Sequence, residues 1–210
     1  MYHYAGLNPV KLIDPDGNET YAVTRDLAGS PFGIHSFTMV VTQNPSEYGQ
    51  HASQFKKYTN NTGAIASVKK GEVFYAMVLS GTEDAKNKLV KAKEGMSTFK
   101  SDHAAIKELA ETGGNVLLPD NDVRATKYTF NNDIRSEVEQ DLSIIDAFSS
   151  YNESGNYSLN AKAKNDNYNC HSLTHTIAAK GKVTNMPKLT GQGIAPGQHM
   201  ISDKYFNKNK

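Results

Sequence analysis

The chain has 210 residues and nearly balanced charge, with 23 Lys and Arg against 22 Asp and Glu. This length fits one domain with a sizeable core or one domain with a short appendage, and the balanced charge lacks the positive excess that attracts nucleic acids. No run of about 18 apolar residues occurs, and no basic stretch precedes an apolar one near the N-terminus, so we expect neither a membrane span nor a signal peptide.

Residues 1–19 contain Tyr-x-Tyr, then Asn-Pro, then the tight-turn sequence Asp-Pro-Asp-Gly. This order resembles the C-terminal end of the core of Rhs (YD-repeat) proteins, with Leu7-Asn8-Pro9 in place of the family's usual Asn-Asn-Pro. In that family the motif ends a large β-cage, and a variable toxin domain follows it. The resemblance implies that residues 1–19 are the remnant of an Rhs core and that residues 20–210 form a toxin domain.

Three later segments are typical of β-strands. Residues 33–43 are rich in β-branched and aromatic side chains, and residues 71–81 are apolar throughout, which indicates a central strand. Residues 122–130 alternate as a half-buried strand does. Strands and helices mix without strict βαβ alternation, which favours an α+β fold with a small, largely antiparallel sheet and packed helices.

Four segments are predicted to be helical. One begins at Thr82 and runs to Gly95, and another spans residues 101–114, capped by Ser101 and ended by glycines. Residues 131–151 carry an apolar stripe, and the fourth helix begins near Asn169 and ends at Lys180. The stripe comprises Ile134, Val138, Leu142, Ile145 and Phe148.

The single cysteine lies at the start of the fourth helix. Helical spacing places Cys170 on one face with Leu173, Thr174 and Ile177, so its side chain is directed toward the core. Either Asn169 or Asn167 can serve as the N-cap. The unpaired backbone N–H groups of a first helical turn carry partial positive charge, which stabilises the nucleophilic thiolate.

Catalysis by a cysteine also requires an imidazole within hydrogen-bond reach. Of the seven histidines, His35 lies in the apolar strand, on the same side as Phe37, Met39 and Val41. A histidine in such a strand is desolvated at a cost unless it has a partner, and Cys170 is a candidate. The alternatives are an inert buried cysteine and a hydrogen-bonded core histidine.

The segments GIHSFTMVV and YNCHSLT resemble the circularly permuted branch of the NlpC/P60 and papain-like cysteine hydrolases. In that branch the histidine strand precedes the cysteine helix, and the helix packs on a small antiparallel sheet. The resemblance implies that Cys170 is the nucleophile and His35 the base, with no cofactor.

Family members also have a polar residue, about a dozen positions after the histidine, that orients the base. Asn44, Glu47 and His51 fall in that region, and we select His51, because a neutral imidazole can fix the tautomer of the base. The oxyanion donors would be the backbone N–H of Cys170 and a neighbouring group, for which we select Tyr168.

A second pair of histidines has the spacing of metal ligands. His171 and His175 lie four residues apart, but Ser172 follows His171 where a zincin has Glu. We therefore expect no metal site.

These features together predict an Rhs-type antibacterial effector that is secreted and delivered into a neighbouring cell. It would hydrolyse amide bonds of peptidoglycan peptides or proteins through a Cys-His thioester mechanism. Its partners would be a cognate immunity protein and the Rhs core of the parent polypeptide. The alternatives are an acyltransferase or phospholipase of the same fold, a non-enzymatic binding domain, and a nuclease toxin.

Overall fold

A computed structural model describes residues 18–27, 33–113, 123–162, 165–186 and 199–207. The strands are β1 (Glu19–Asp26), β2 (Ile34–Thr42), β3 (Lys56–Thr59), β4 (Val73–Glu83), β5 (Leu89–Lys91), β6 (Arg124–Lys127), β7 (Asn156–Tyr157) and β8 (Asn167–Tyr168). The α-helices are α1 (Ser97–Thr112), α2 (Glu137–Ser150) and α3 (Cys170–Lys180), and two 3₁₀ segments span Pro45–Gln54 and Asp203–Tyr205.

One antiparallel sheet organises the fold, in the order β3-β4-β2-β1-β6, with β5 added to the end of β4. Strand β2 lies at its centre, and all nine of its residues are buried. Its β-branched and aromatic side chains suit a strand that is covered on both faces. The predicted α+β class with a mostly antiparallel sheet is confirmed.

The two faces of the sheet carry different helices. Because side chains alternate along a strand, Phe37 and Met39 of β2 pack on one face in a core that includes Ile106 of α1. Val40 packs on the opposite face in a core that includes Leu173 of α3, together with side chains of α2. Strand β2 therefore separates α1 from α3.

The sheet divides beside the centre of β2. Strands β2 and β4 are paired only from Phe37 and Ser80 onward. Beyond that point, Gly81 and the residues after it pair with β5 instead. A Cβ atom on Gly81 would lie 2.9 Å from side-chain carbons of Leu173 and Leu89, so glycine is what lets α3 pack at this corner. The first residues of β2 are thus not paired with β4, and α3 begins beside them.

The helix predicted from Thr82 to Gly95 is wrong. Strand β4 continues to Glu83, and a turn with Asn87 at φ 55° leads into β5. The Asp84 carboxylate accepts hydrogen bonds from the backbone N–H groups of Lys86 and Lys88, each at 2.8 Å. An acidic residue that the sequence placed in a first helical turn therefore closes a hairpin turn.

Two other helices begin at different residues than predicted. Helix α1 starts at Ser97 instead of Ser101 and ends, as predicted, at a glycine, Gly113, in the left-handed conformation. Helix α2 starts at Glu137, capped by Ser136, so Ile134 lies outside the helix and is fully exposed. The capping signal was present in the sequence as Ser136 three residues before a glutamate.

The remaining predicted elements form close to the predicted bounds. Strands β2 and β4 cover most of residues 33–43 and 71–81, and β6 falls within residues 122–130. Helix α3 is capped by Asn169, one of the two predicted candidates, and ends at Lys180. Residues 1–17, which carry most of the Rhs-like motif, lie outside the described residues. No helix in the described part of the chain has the length and apolar character to cross a membrane.

The cap of α2 allows a simple test of this part of the fold. The Ser136 hydroxyl accepts a hydrogen bond from the Glu139 backbone N–H. We expect Ser136→Ala to lower the free energy of unfolding by about 1 kcal/mol, because that donor loses its partner. The matched control is Ser149→Ala, at an exposed position of the same helix, which should change stability by less than about 0.5 kcal/mol. If urea denaturation showed the same loss of unfolding free energy in both variants, the assigned start of α2 would be contradicted.

Candidate active site

Helix α3 places Cys170 at its first residue through a reciprocal cap. The Asn169 side chain accepts a hydrogen bond from the Ser172 backbone N–H at 3.0 Å, and the Ser172 hydroxyl accepts one from the Asn169 backbone N–H at 3.4 Å. Both capping residues are buried. The start of the helix is therefore fixed, and so is the position from which the thiol projects.

The Cys170 side chain meets His35 where β2 and β4 separate. Cys170 is only 5 % exposed, and its sulfur hydrogen-bonds the imidazole of His35. The backbone N–H groups of Ser36 and His171 donate to the same sulfur. The predicted contact between the helix cysteine and the strand histidine is thus confirmed.

The other side of the His35 ring faces a serine and a carboxylate. Its Nε2 atom lies 3.0 Å from the Ser80 hydroxyl and 3.3 Å from Oδ1 of Asp102. The Ser80 hydroxyl in turn hydrogen-bonds Asp102. Because Ser80 and Asp102 both face Nε2, that atom carries a proton toward them and Nδ1 is left for Cys170.

Asp102 comes from α1 and is the third member of the site. It is completely buried, and Nε of Arg25 donates a hydrogen bond of 2.7 Å to its Oδ1 atom. The sequence prediction missed it, because a helix beginning at residue 101 puts Asp102 in an exposed first turn. A usable signal existed: Asp102 precedes Ile106 and Leu109 by four and seven residues, on the face that α1 buries.

The structure does not bring His51 to this pair. His51 lies in the 3₁₀ segment Pro45–Gln54, where its Nδ1 atom is 3.1 Å from Gln54 Nε2 and its Nε2 atom is 3.5 Å from Gln50 Nε2. The prediction that His51 orients the base is therefore wrong. The two other candidates contact each other, since Asn44 donates to Glu47 at 2.8 Å. The chain turns away at Pro45, so sequence distance from the histidine did not locate its partner.

The charges of the three side chains support one another. Burial alone would lower the pKa of His35, but the charges of Cys170 and Asp102 outweigh it and raise that pKa to about 9. Burial would raise the pKa of the Cys170 thiol, yet the His35 charge and the hydrogen bonds to sulfur bring it below its ordinary value. Burial also opposes ionisation of Asp102, but His35 and Arg25 lower its pKa overall. These shifts all favour the charged forms, which are a thiolate at Cys170, an imidazolium at His35 and a carboxylate at Asp102.

His171, near the start of α3, faces a serine of β2. The Nδ1 atom of His171 lies 2.8 Å from the Ser36 hydroxyl, and burial together with the His35 charge lowers its pKa to about 4. His171 is therefore neutral beside the charged pair. Burial lowers the pKa of His175 as well. Across the described residues, no three or more His, Cys, Asp or Glu side chains are grouped to hold a metal ion.

A cavity of about 560 Å³ opens beside Cys170 and His35. Its other walls combine apolar, aromatic and polar side chains, namely Leu27, Ile34, Tyr157, Leu159, Asn160 and Arg25. Tyr168, predicted as an oxyanion donor, instead donates its hydroxyl to Asp166 at 2.7 Å. Tyr157 is the tyrosine that lines the cavity, and burial and then the Cys170 charge raise its pKa.

Comparison of the chain with protein-family models, with curated proteins and with solved structures finds no significant match.

The charge state of the site can be read from the alkylation of Cys170 by iodoacetamide, since only the thiolate reacts. We expect the rate to remain high well below pH 8.5, the ordinary thiol pKa, and to fall only as acid protonates the thiolate. His35→Ala should slow the reaction at neutral pH by about tenfold or more, because the thiol loses its positive neighbour and its pKa rises. His51→Ala is the matched control and should leave the rate unchanged. The assigned charges would be contradicted if the alkylation rate of the unaltered protein depended on pH as that of an ordinary thiol does.

Proposed function

We propose that the protein is a cysteine hydrolase of the papain-like kind, in which Cys170 is the nucleophile and His35 the general acid and base. Asp102 orients His35 and stabilises its charged form. The observation that carries this proposal is the buried contact of Cys170, His35 and Asp102 beside a cavity, in which each side chain favours the charged form of its neighbour. Perturbed titratable groups that converge on a cavity are typical of catalytic sites.

The first half of the reaction acylates Cys170. The thiolate attacks the carbonyl carbon of an amide, a carbon–sulfur bond forms, and the carbonyl electrons move to the oxygen. When this intermediate collapses, the carbon–nitrogen bond breaks and the His35 imidazolium gives its proton to the departing amine. The backbone N–H of Cys170 is a donor for the oxyanion, because the first turn of a helix offers it no intrahelical acceptor.

The second half releases the acyl group. Neutral His35 takes a proton from a water molecule, and the resulting hydroxide attacks the thioester carbonyl. The carbon–sulfur bond then breaks, the product leaves as a carboxylic acid, and the thiolate and imidazolium are restored. Asp102 assists both halves, because its charge favours the imidazolium each time His35 gains a proton.

The order of these residues along the chain supports a permuted papain-like domain. His35 lies on a central strand, Cys170 begins a later helix, and that helix packs on an antiparallel sheet. Together with the Rhs-like motif of residues 1–19, this arrangement supports an interbacterial toxin domain. In this proposal the domain is secreted with its parent Rhs polypeptide, acts on peptidoglycan peptides or proteins in a neighbouring cell, and is inhibited by a cognate immunity protein.

Two of the alternative functions receive less support. A non-enzymatic binding domain has no need for a buried thiolate and imidazolium, which are costly to desolvate. A nuclease toxin would be expected to present a positive surface or a metal site, and the near-balanced charge does not favour the first. An acyltransferase or phospholipase would use the same thioester chemistry, and the apolar cavity residues Leu27, Ile34 and Leu159 would suit its acyl chain.

Toxicity in a bacterium tests the proposal. The chain is expressed in the cytoplasm and, separately, with a signal that directs it to the periplasm. We expect toxicity in at least one compartment, its loss in Cys170→Ala, and strong attenuation in Asp102→Asn, for which hydrolysis should fall about a hundredfold. Asp146→Asn, at an exposed carboxylate of α2, is the matched control and should remain as toxic as the unaltered chain.

The compartment also indicates the substrate. Toxicity confined to the periplasm would indicate peptidoglycan peptides, whereas toxicity confined to the cytoplasm would indicate a protein. Release of fatty acids from lipid extracts by the purified protein would favour the phospholipase alternative. Toxicity that persists in Cys170→Ala would refute the cysteine mechanism.

A further inference from the structure

The proposed mechanism uses only one of the five N–H donors of Arg25. This residue lies on β1 directly opposite His35 in the strand register, and its Nε atom donates to Asp102 at 2.7 Å. The four N–H donors of the two Nη atoms have no partner among the described residues. The Arg25 side chain is 11 % exposed and lines the cavity beside Cys170.

The described part of the cavity wall has one arginine and no carboxylate. Among the described residues that line it, none is Asp or Glu. Asp102 does not line the cavity and is completely buried, and His171 is neutral. The charges of Cys170 and His35 offset each other. Arg25 is therefore the permanently charged group that a ligand meets in the described part of this cavity.

A guanidinium can hydrogen-bond two carboxylates at the same time. Its donors lie in a rigid planar fork, and one edge can pair with a buried acid while another binds a second carboxylate in two parallel hydrogen bonds. Asp102 holds the Arg25 fork in place through Nε, which lowers the entropic cost of binding an anion at the remaining edge. Asn160, also on the cavity wall and without a partner among the described residues, adds a neutral amide donor.

We infer that Arg25 binds a carboxylate of the substrate, so that the scissile amide has a free carboxylate close to it. This inference rests on the proposed function, since it assigns the substrate class of the same site. The apolar side chains of Leu27, Ile34 and Leu159 would contact the uncharged remainder of the substrate. The class includes peptides with an acidic residue or a chain terminus next to the cleaved bond.

The test compares two alkylating probes that differ only in charge, N-iodoacetylglycine and N-iodoacetylglycinamide. We expect the carboxylate probe to alkylate Cys170 about tenfold faster than the amide probe, the size of effect that one charged hydrogen-bonding contact supplies. Arg25→Gln should bring the ratio of the two rates close to one, and Arg25→Lys should keep part of it. The ratio is the readout because Arg25→Gln also weakens the support of Asp102 and so slows both probes alike.

Three outcomes would overturn the inference. The unaltered protein could show no preference for the carboxylate probe, a result that needs no variant and is independent of whether Arg25→Gln folds. The preference could persist in Arg25→Gln. A third probe, in which a phosphonate replaces the carboxylate, could react faster still, which would assign the site to a phosphate-bearing substrate.

Binding to Cys170→Ala separates this inference from the proposed function. Calorimetry compares N-acetylglycine with N-acetylglycinamide, neither of which requires a reactive thiol. The inference would be supported if N-acetylglycine bound, N-acetylglycinamide did not, and Arg25→Gln abolished the binding. This support would hold even if Cys170 proved unreactive and the hydrolase proposal failed. Equal binding of both compounds, or binding that Arg25→Gln leaves unchanged, would overturn it while leaving the hydrolase proposal intact.

Discussion

The site depends on the buried contact between Cys170 and His35, in which each side chain favours the charged form of the other. Each is almost completely removed from water, and neither would be charged there alone, because burial favours the neutral form of both. Their mutual attraction favours the charged form of both, and backbone N–H groups at the sulfur and Asp102 at the imidazole add to that stabilisation. Removing one partner therefore returns the other to its neutral form and leaves a buried polar group without its hydrogen-bond partner. The pair therefore constrains the fold as well as the chemistry.

The division of the sheet is what permits this pair to form. Helices α1 and α3 lie on opposite faces of β2, so side chains from the two helices would ordinarily be separated by the sheet. Because β4 leaves β2 after Ser80 and turns toward β5, the cysteine of α3 reaches the histidine that faces α1. Gly81 allows the close packing of α3 at that corner. The geometry of the candidate site thus follows from where strand β4 stops pairing with β2.

Local patterns in the sequence were enough to find the two central residues. The cap at Asn169 and the spacing along α3 located Cys170 at a helix start, and strand alternation placed His35 in the buried sheet. These signals span a few residues and depend only on the geometry of a helix or a strand. The α+β class could be predicted from the same local helix and strand patterns.

Long-range packing determined what the sequence reasoning missed. Asp102 reaches His35 because α1 begins at Ser97 and covers a particular face of the sheet, and no local pattern states which face that is. His51 was selected by distance along the chain, but the turn at Pro45 carries it elsewhere. Arg25 acts from β1, a strand that the sequence analysis did not identify. Each of these residues is specified by the register or orientation of a whole element.

The most direct test of the central claim is the ultraviolet absorption of the thiolate, measured as the difference between the unaltered protein and Cys170→Ala across the pH range. A thiolate paired with His35 predicts a strong difference band at neutral pH that disappears only in acid, well below the ordinary thiol pKa. In His35→Ala the band should appear only at alkaline pH. A band that appears only above about pH 8.5 in the unaltered protein, where an ordinary thiol ionises, would contradict the account.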